Sequence, residues 1–143
     1  MDNQNYSNHT RWYPLNHFVI APISLGLIIF QGWRAFQSQE TTDLITFVIT
    51  ILILLLALAA RLQALKAQDR VIRLEERLRL KELMGSEDAK AAGSLPPGML
   101  IAIRFASDEE LPELARRAVA GEFKNPSDLK RAIKNWRADH HRV

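Results

Sequence analysis

The sequence has no cysteine, so disulfides, thiolate metal centres and a cysteine nucleophile are excluded. It also lacks a P-loop, a dinucleotide-binding fingerprint, an HExxH pair and a nucleophile elbow. No catalytic residue is nominated, and the chain reads as non-enzymatic. Charge is absent from two long stretches: the 22 residues Trp12–Trp33 and the 17 residues Leu44–Ala60 hold no Asp, Glu, Lys or Arg. Inside them Ser24, Gln31, Thr46 and Thr50 are too sparse for a proton relay or a substrate site. Helix breakers are the third absence, with no Gly or Pro in Arg61–Met84.

A hydrocarbon slab of about 30 Å is crossed by about 20 apolar helical residues, with about 17 as a minimum. The two uncharged runs predict spans over residues 15–36 and 44–60. A cleaved signal peptide fits the first run poorly. The leader, residues 1–13, is polar rather than basic, and Ala21, Pro22 and Gly26 lie inside the run, not beyond it. Pro14 suits a first helical turn, and Pro22 should kink or offset the start of the span. The connection Gln37–Asp43 allows only a tight reversal, so residues 14–60 form an antiparallel hairpin, with Thr41, Thr42 or Asp43 available as a cap. Trp12, Tyr13 and Trp33 belong at headgroup depth, with Arg34, Arg61 and Lys66 as lipid-facing cations. Seven Lys/Arg against four Asp/Glu in Arg61–Met84 predict both termini in the cytoplasm and the connecting loop outside, for a multi-pass inner-membrane protein.

Beyond the second span, residues 61–84 are rich in helix formers and continue it as a rod. Asp43–Met84 is then about 60 Å long at 1.5 Å per residue. Asp69–Arg73 and Glu75–Arg79 have the acid-first spacing of four, and Gly85 can supply a left-handed stop. Residues 85–98, GSEDAKAAGSLPPG, read as a linker, and 99–143 as a small helical tail. Within the tail, Ser107 and Glu110 have capping-box spacing for a helix to Ala120 that ends at Gly121. Asn125 and Pro126 begin another, through Ala138. The expected fold is all-α: a two-helix transmembrane hairpin, a long second helix entering the cytosol, and a C-terminal helical tail.

Four segments, QNYSNH (4–9), QDRVIRLEERLRL (68–80), IRFASDEELPEL (103–114) and IKNWRADHHRV (133–143), together with the hairpin, carry a resemblance. The chain resembles, over its full length, an uncharacterised group of small two-span bacterial membrane proteins, a domain of unknown function. The resemblance implies the two-span layout and no activity, so no binding or catalytic residue is carried over.

Small and hydroxyl residues recur along one side of the second helix: Thr46, Thr50, Ala57, Ala60, Ala64 and Ala67. Ala21, Ser24, Gly32 and Ala35 match them on the first span. Such residues let helices approach in lipid, within one hairpin or along an oligomer seam. Ala60, Ala64, Ala67, Val71, Leu74 and Leu78 follow a four-three heptad spacing, with Leu65, Ile72, Leu80 and Leu83 on other faces. The competing reading of this apolar pattern is support for the chain's own tail. The basic belt from Arg61 to Lys81 is a topology and headgroup signal, and no nucleic-acid motif accompanies it. Asp139, His140 and His141, even with His9, lack the spacing of helical metal ligands, so no metal site is expected. His17 is the one candidate axial ligand for a haem or pigment, though a headgroup contact is the plainer reading. No cofactor is expected.

The leading functional expectation is a membrane scaffold or interaction protein, bound to the bilayer and either homo-oligomeric or an accessory subunit of a larger complex. A small oligomeric channel, with Thr46 and Thr50 facing a pore, is the alternative. A pigment- or haem-associated subunit is the second alternative.

Overall fold

The computed structural model describes residues 5–8 and 13–139. Among them the fold is all-α: α1 (Ala21–Ser38), α2 (Thr41–Leu83), α3 (Ser86–Gly93), α4 (Pro97–Ile103), α5 (Leu111–Val119) and α6 (Pro126–Ala132). Their only pairing of extended backbone is an isolated antiparallel bridge between Ala106 and Trp136. The chain divides into two compact units, residues 13–65 and residues 5–8 with 66–139. The unbroken α2 contributes its first part to one and its remainder to the other.

In the first unit a π-helical stretch, Leu15–Ile20, precedes α1, and the Ala21 N–H donates to the Asn16 carbonyl five residues back. Pro22, at the start of α1, has no N–H to donate. The register is wide just upstream of it, which is the expected offset in π form. α1 ends on Gln39, left-handed at φ 56, and Glu40 completes the reversal into α2. Both helices are long and apolar enough to cross a membrane. Their large side chains are exposed around most of the circumference, including Phe18, Ile29, Phe36 and Leu56. A face this apolar is stable against hydrocarbon and not against water.

The second unit has a conventional core. Leu80 of α2 and Met84 just after it meet Ala89 and Ala92 of α3, Leu100 and Ile103 of α4, Leu111 and Ala115 of α5, and Leu129 of α6. Packing pairs are α3 with α5, α4 with α6, and α5 with both α4 and α6. Asn125 caps α6, its Oδ1 accepting from the N–H groups of Ser127 and Asp128 at 2.9 and 3.0 Å. Gly121, at φ +78, closes the turn after α5, with the Glu122 N–H donating to Arg117 O.

Several expectations are corrected here. The 85–98 segment is not a linker: it contains α3, held because Ala89 and Ala92 are buried in the core. The rod and the tail are therefore not separate domains, since residues 66–139 form one unit. Gly85 is extended, at φ −61 and ψ 155, and leads into α3 instead of making a left-handed stop. No capping box forms at Ser107, because the Glu110 carboxylate accepts from the backbone N–H groups of Lys134 and Asn135 at 3.0 and 3.1 Å. α6 ends at Ala132 and not Ala138, as Ile133 turns extended to bring Trp136 into the bridge.

Candidate interaction surface

α2 presents two different faces within the second unit. Ile72, Glu76, Arg79 and Leu80 are buried. Around the helix, Val71, Leu74 and Leu78 remain 54%, 60% and 52% exposed. The chain's own tail thus takes the face that continues Ile72 and Leu80, and the heptad positions stay uncovered.

The buried face carries an ionic node. Arg79 reaches Glu76 at 3.2 Å, Asp108 at 2.6 Å and the Ala106 carbonyl at 2.6 Å. Glu75, the expected partner of Arg79, is exposed and makes no ion pair with it. Asp69 contributes its backbone carbonyl, and not its carboxylate, to Arg73. Burial pushes the Glu76 carboxyl above its ordinary range, with Arg79 and then Arg137 and Arg104 pulling it back. Nearby, Arg104 pairs with Asp139 at 2.9 Å and lies 4.2 Å from the centre of the Phe105 ring. Phe105 packs on Trp136 with ring centroids 5.0 Å apart. Backbone bonds from Arg137 N to Phe105 O and from Ser107 N to Asn135 O lock the two strands of chain together.

In the first unit the hairpin is fastened at both ends. Arg34 pairs with the buried Asp43 at 3.2 Å, across the reversal. Arg61 lies 5.6 Å from the centre of the Tyr13 ring. Between these points, Ser24 is buried, and Ala21, Gly32, Ala35, Thr46, Thr50 and Ala57 are half-buried. A Cβ on Gly32 would come within 3.0 Å of the Phe47 ring, so glycine makes room for that ring. The hydroxyls of Thr46 and Thr50 donate to the Thr42 and Thr46 carbonyls, both at 2.8 Å, which satisfies them within their own helix. Ala60 is exposed and Ala64 half-buried, while Lys66 and Ala67, in the other unit, are exposed, Ala67 preceding the uncovered apolar positions. Trp33 is 60% exposed. His17 places Nδ1 2.9 Å from the Tyr13 carbonyl, a contact that requires the proton on Nδ1. Trp12, His9, His140 and His141 lie outside the described residues. Among the described residues no three His, Asp or Glu gather as metal ligands.

A family profile described as "Family of unknown function (DUF6526)" matches residues 1–143. The chain belongs to this family. No curated protein matches it, and no solved structure does.

For this member of the family, the motifs that carry the resemblance become legible as one structural device. Glu76 and Arg79 come from the 68–80 segment, Arg104 to Glu110 from the 103–114 segment, and Lys134 to Asp139 from the last. All three meet in the node. Sequence reasoning gave Arg79 and Glu110 only local helix roles and singled out none of Glu76, Arg104 or Asp108. A signal was present for the first of these: Glu76 stands four residues from both Ile72 and Leu80, on the line that the core requires.

Proposed function

We propose that the chain is an integral-membrane interaction protein: a hairpin anchor carrying a folded cytoplasmic unit that offers one apolar helix face to a partner. The observation that carries this reading is the contrast between the units. One exposes large apolar side chains around most of its circumference, and the other buries its own core yet leaves Val71, Leu74 and Leu78 exposed. A second support is Tyr6, whose ring lies 5.2 Å from the Arg131 guanidinium. Residues before the first span and after the second belong to one compact unit, which calls for an even number of crossings between them. Both termini then lie on one side, and the positive charge after Arg61 supports the cytoplasmic side, with the resemblance supporting a bacterial inner membrane. The residues of the node serve the fold; none is offered as a catalyst.

Carbonate extraction with cysteine labelling tests this reading, on a chain with no thiol of its own. The chain should stay in the membrane pellet. A cysteine at Glu40 should react from outside the cell, and one at Lys90 only after the membrane is opened. Recovery in the carbonate supernatant, or labelling of both positions from one side, would refute it.

A further inference from the structure

We infer that the exposed seam Ala67, Val71, Leu74 and Leu78 is covered by the same seam of a second copy, forming a parallel, in-register two-stranded coiled coil. The inference rests on the membrane-anchored reading and names its partner. The four positions are spaced four, three and four, the alternation by which one helix presents a continuous stripe to another. At about 100° per residue, the stripe lies roughly opposite Ile72, Glu76 and Leu80. The chain's own core occupies that far side, so it cannot also cover the seam. Lipid is an unsuitable cover as well, because the seam is flanked by charge along its length.

That charge selects the occupant. Arg70 and Arg77 run along one flank, Glu75 and Glu82 along the other, and all four are exposed. Among the described residues Arg70, Glu75 and Glu82 take part in no ion pair. Arg77 donates Nε to the Gly93 carbonyl at 2.9 Å, which leaves its terminal nitrogens for a carboxylate. In a parallel pair of identical helices, each flank residue faces the residue five positions later on the other chain. Arg70 then meets the partner's Glu75 and Arg77 meets the partner's Glu82, and each contact occurs twice. An antiparallel pair sets arginine against arginine and glutamate against glutamate, while a shift of one heptad keeps only half of the attractive contacts. Two copies inserted with the same topology already have α2 parallel and share one plane. That raises their effective concentration enough for a seam of two heptads to hold.

The absence of native cysteine makes the test direct. Single cysteines replace Val71, Leu74, Leu78 or, as a control on the outer side of the pair, Asp69, in the full chain within native membranes. Mild oxidation should link V71C, L74C and L78C into dimers of twice the chain mass and leave D69C monomeric. R70E should lower L74C cross-linking several-fold, and R70E with E75R should restore it. D69C linking as well as L74C, a charge swap that fails to restore, or adducts of another mass would overturn the inference. Carbonate-washed membranes separate the two claims. Chain that pellets without seam cross-links overturns the dimer alone. Chain found in the supernatant overturns the anchor, and the parallel arrangement with it.

Discussion

Arg79 and Glu76 are each less than a tenth exposed, and they hold the node by charge-assisted hydrogen bonds in a site where water cannot substitute. Removing one member of such a pair typically costs about 3–5 kcal/mol, because the other is left buried and uncompensated. Asp108 is 61% exposed, and its contact with Arg79 is worth far less. Glu76 also gives the unit a pH signature. Its folded pKa is raised, so the folded state holds the proton more tightly than the unfolded chain does. The stabilisation from this group is complete below the ordinary value of 4.5 and is lost as pH rises through the folded value. Relative to Glu76→Gln, the native protein should therefore become progressively less resistant to denaturant as pH increases across that window. Denaturant midpoints of the two proteins, compared at several pH values, check this; a difference that is flat or of opposite slope contradicts it. None of this was legible beforehand, because the acid-first pairing rule considers one helix alone. Arg79 instead bends to Asp108 and the Ala106 carbonyl, which only the tertiary fold brings near.

At the scale of elements, the hairpin depends on how closely α1 and α2 can approach. Gly32 sits 3.0 Å from the Phe47 ring once a Cβ is imagined, whereas a Cβ on Gly26 would meet nothing within 4 Å. Gly32→Leu should therefore force the helices apart and lower the thermal midpoint in detergent. Gly26→Leu should leave the midpoint close to that of the native protein, and equal effects of the two would argue against this packing. The two hairpin helices, the tight reversal, the Asn125 cap and the Gly121 turn were readable from sequence, since each depends on residues within a turn or two of one another. The segment 85–98 was misread because its Gly, Ser and Pro content has the composition of a tether. Two alanines, Ala89 and Ala92, convert it into packed structure once Leu80 and Met84 lie against them. Likewise Glu110 has the right spacing for a capping box, but the arrival of Lys134 and Asn135 offers it two backbone donors at once. On the candidate surface, the four-three spacing of Ala67, Val71, Leu74 and Leu78 is visible in the sequence, and Val71, Leu74 and Leu78 are exposed. What sequence could not decide was which of two apolar faces the tail would claim.

The whole molecule has two sources of stability. On the proposed membrane-anchored reading, the first unit draws on hydrocarbon around it and on hydrogen bonds internal to each helix, as any spanning segment does. The second relies on burial of its own apolar side chains from water, the term that denaturant weakens. Increasing urea in mild detergent should therefore separate the two. Fluorescence of Trp136, in contact with Phe105, should change in a first transition, while much of the helical circular dichroism, contributed by the hairpin, persists beyond it. Coincident loss of both signals would mean that the units unfold as one.

The contact of Tyr6 with Arg131 joins opposite ends of the polypeptide. During synthesis Tyr6 emerges before both apolar helices, and α6 emerges after them. The second unit therefore cannot complete that contact until both apolar helices have been made. On the proposed membrane-anchored reading, a nascent chain stalled ahead of α6 would hold an inserted hairpin while its second unit stays open to proteases and chaperones.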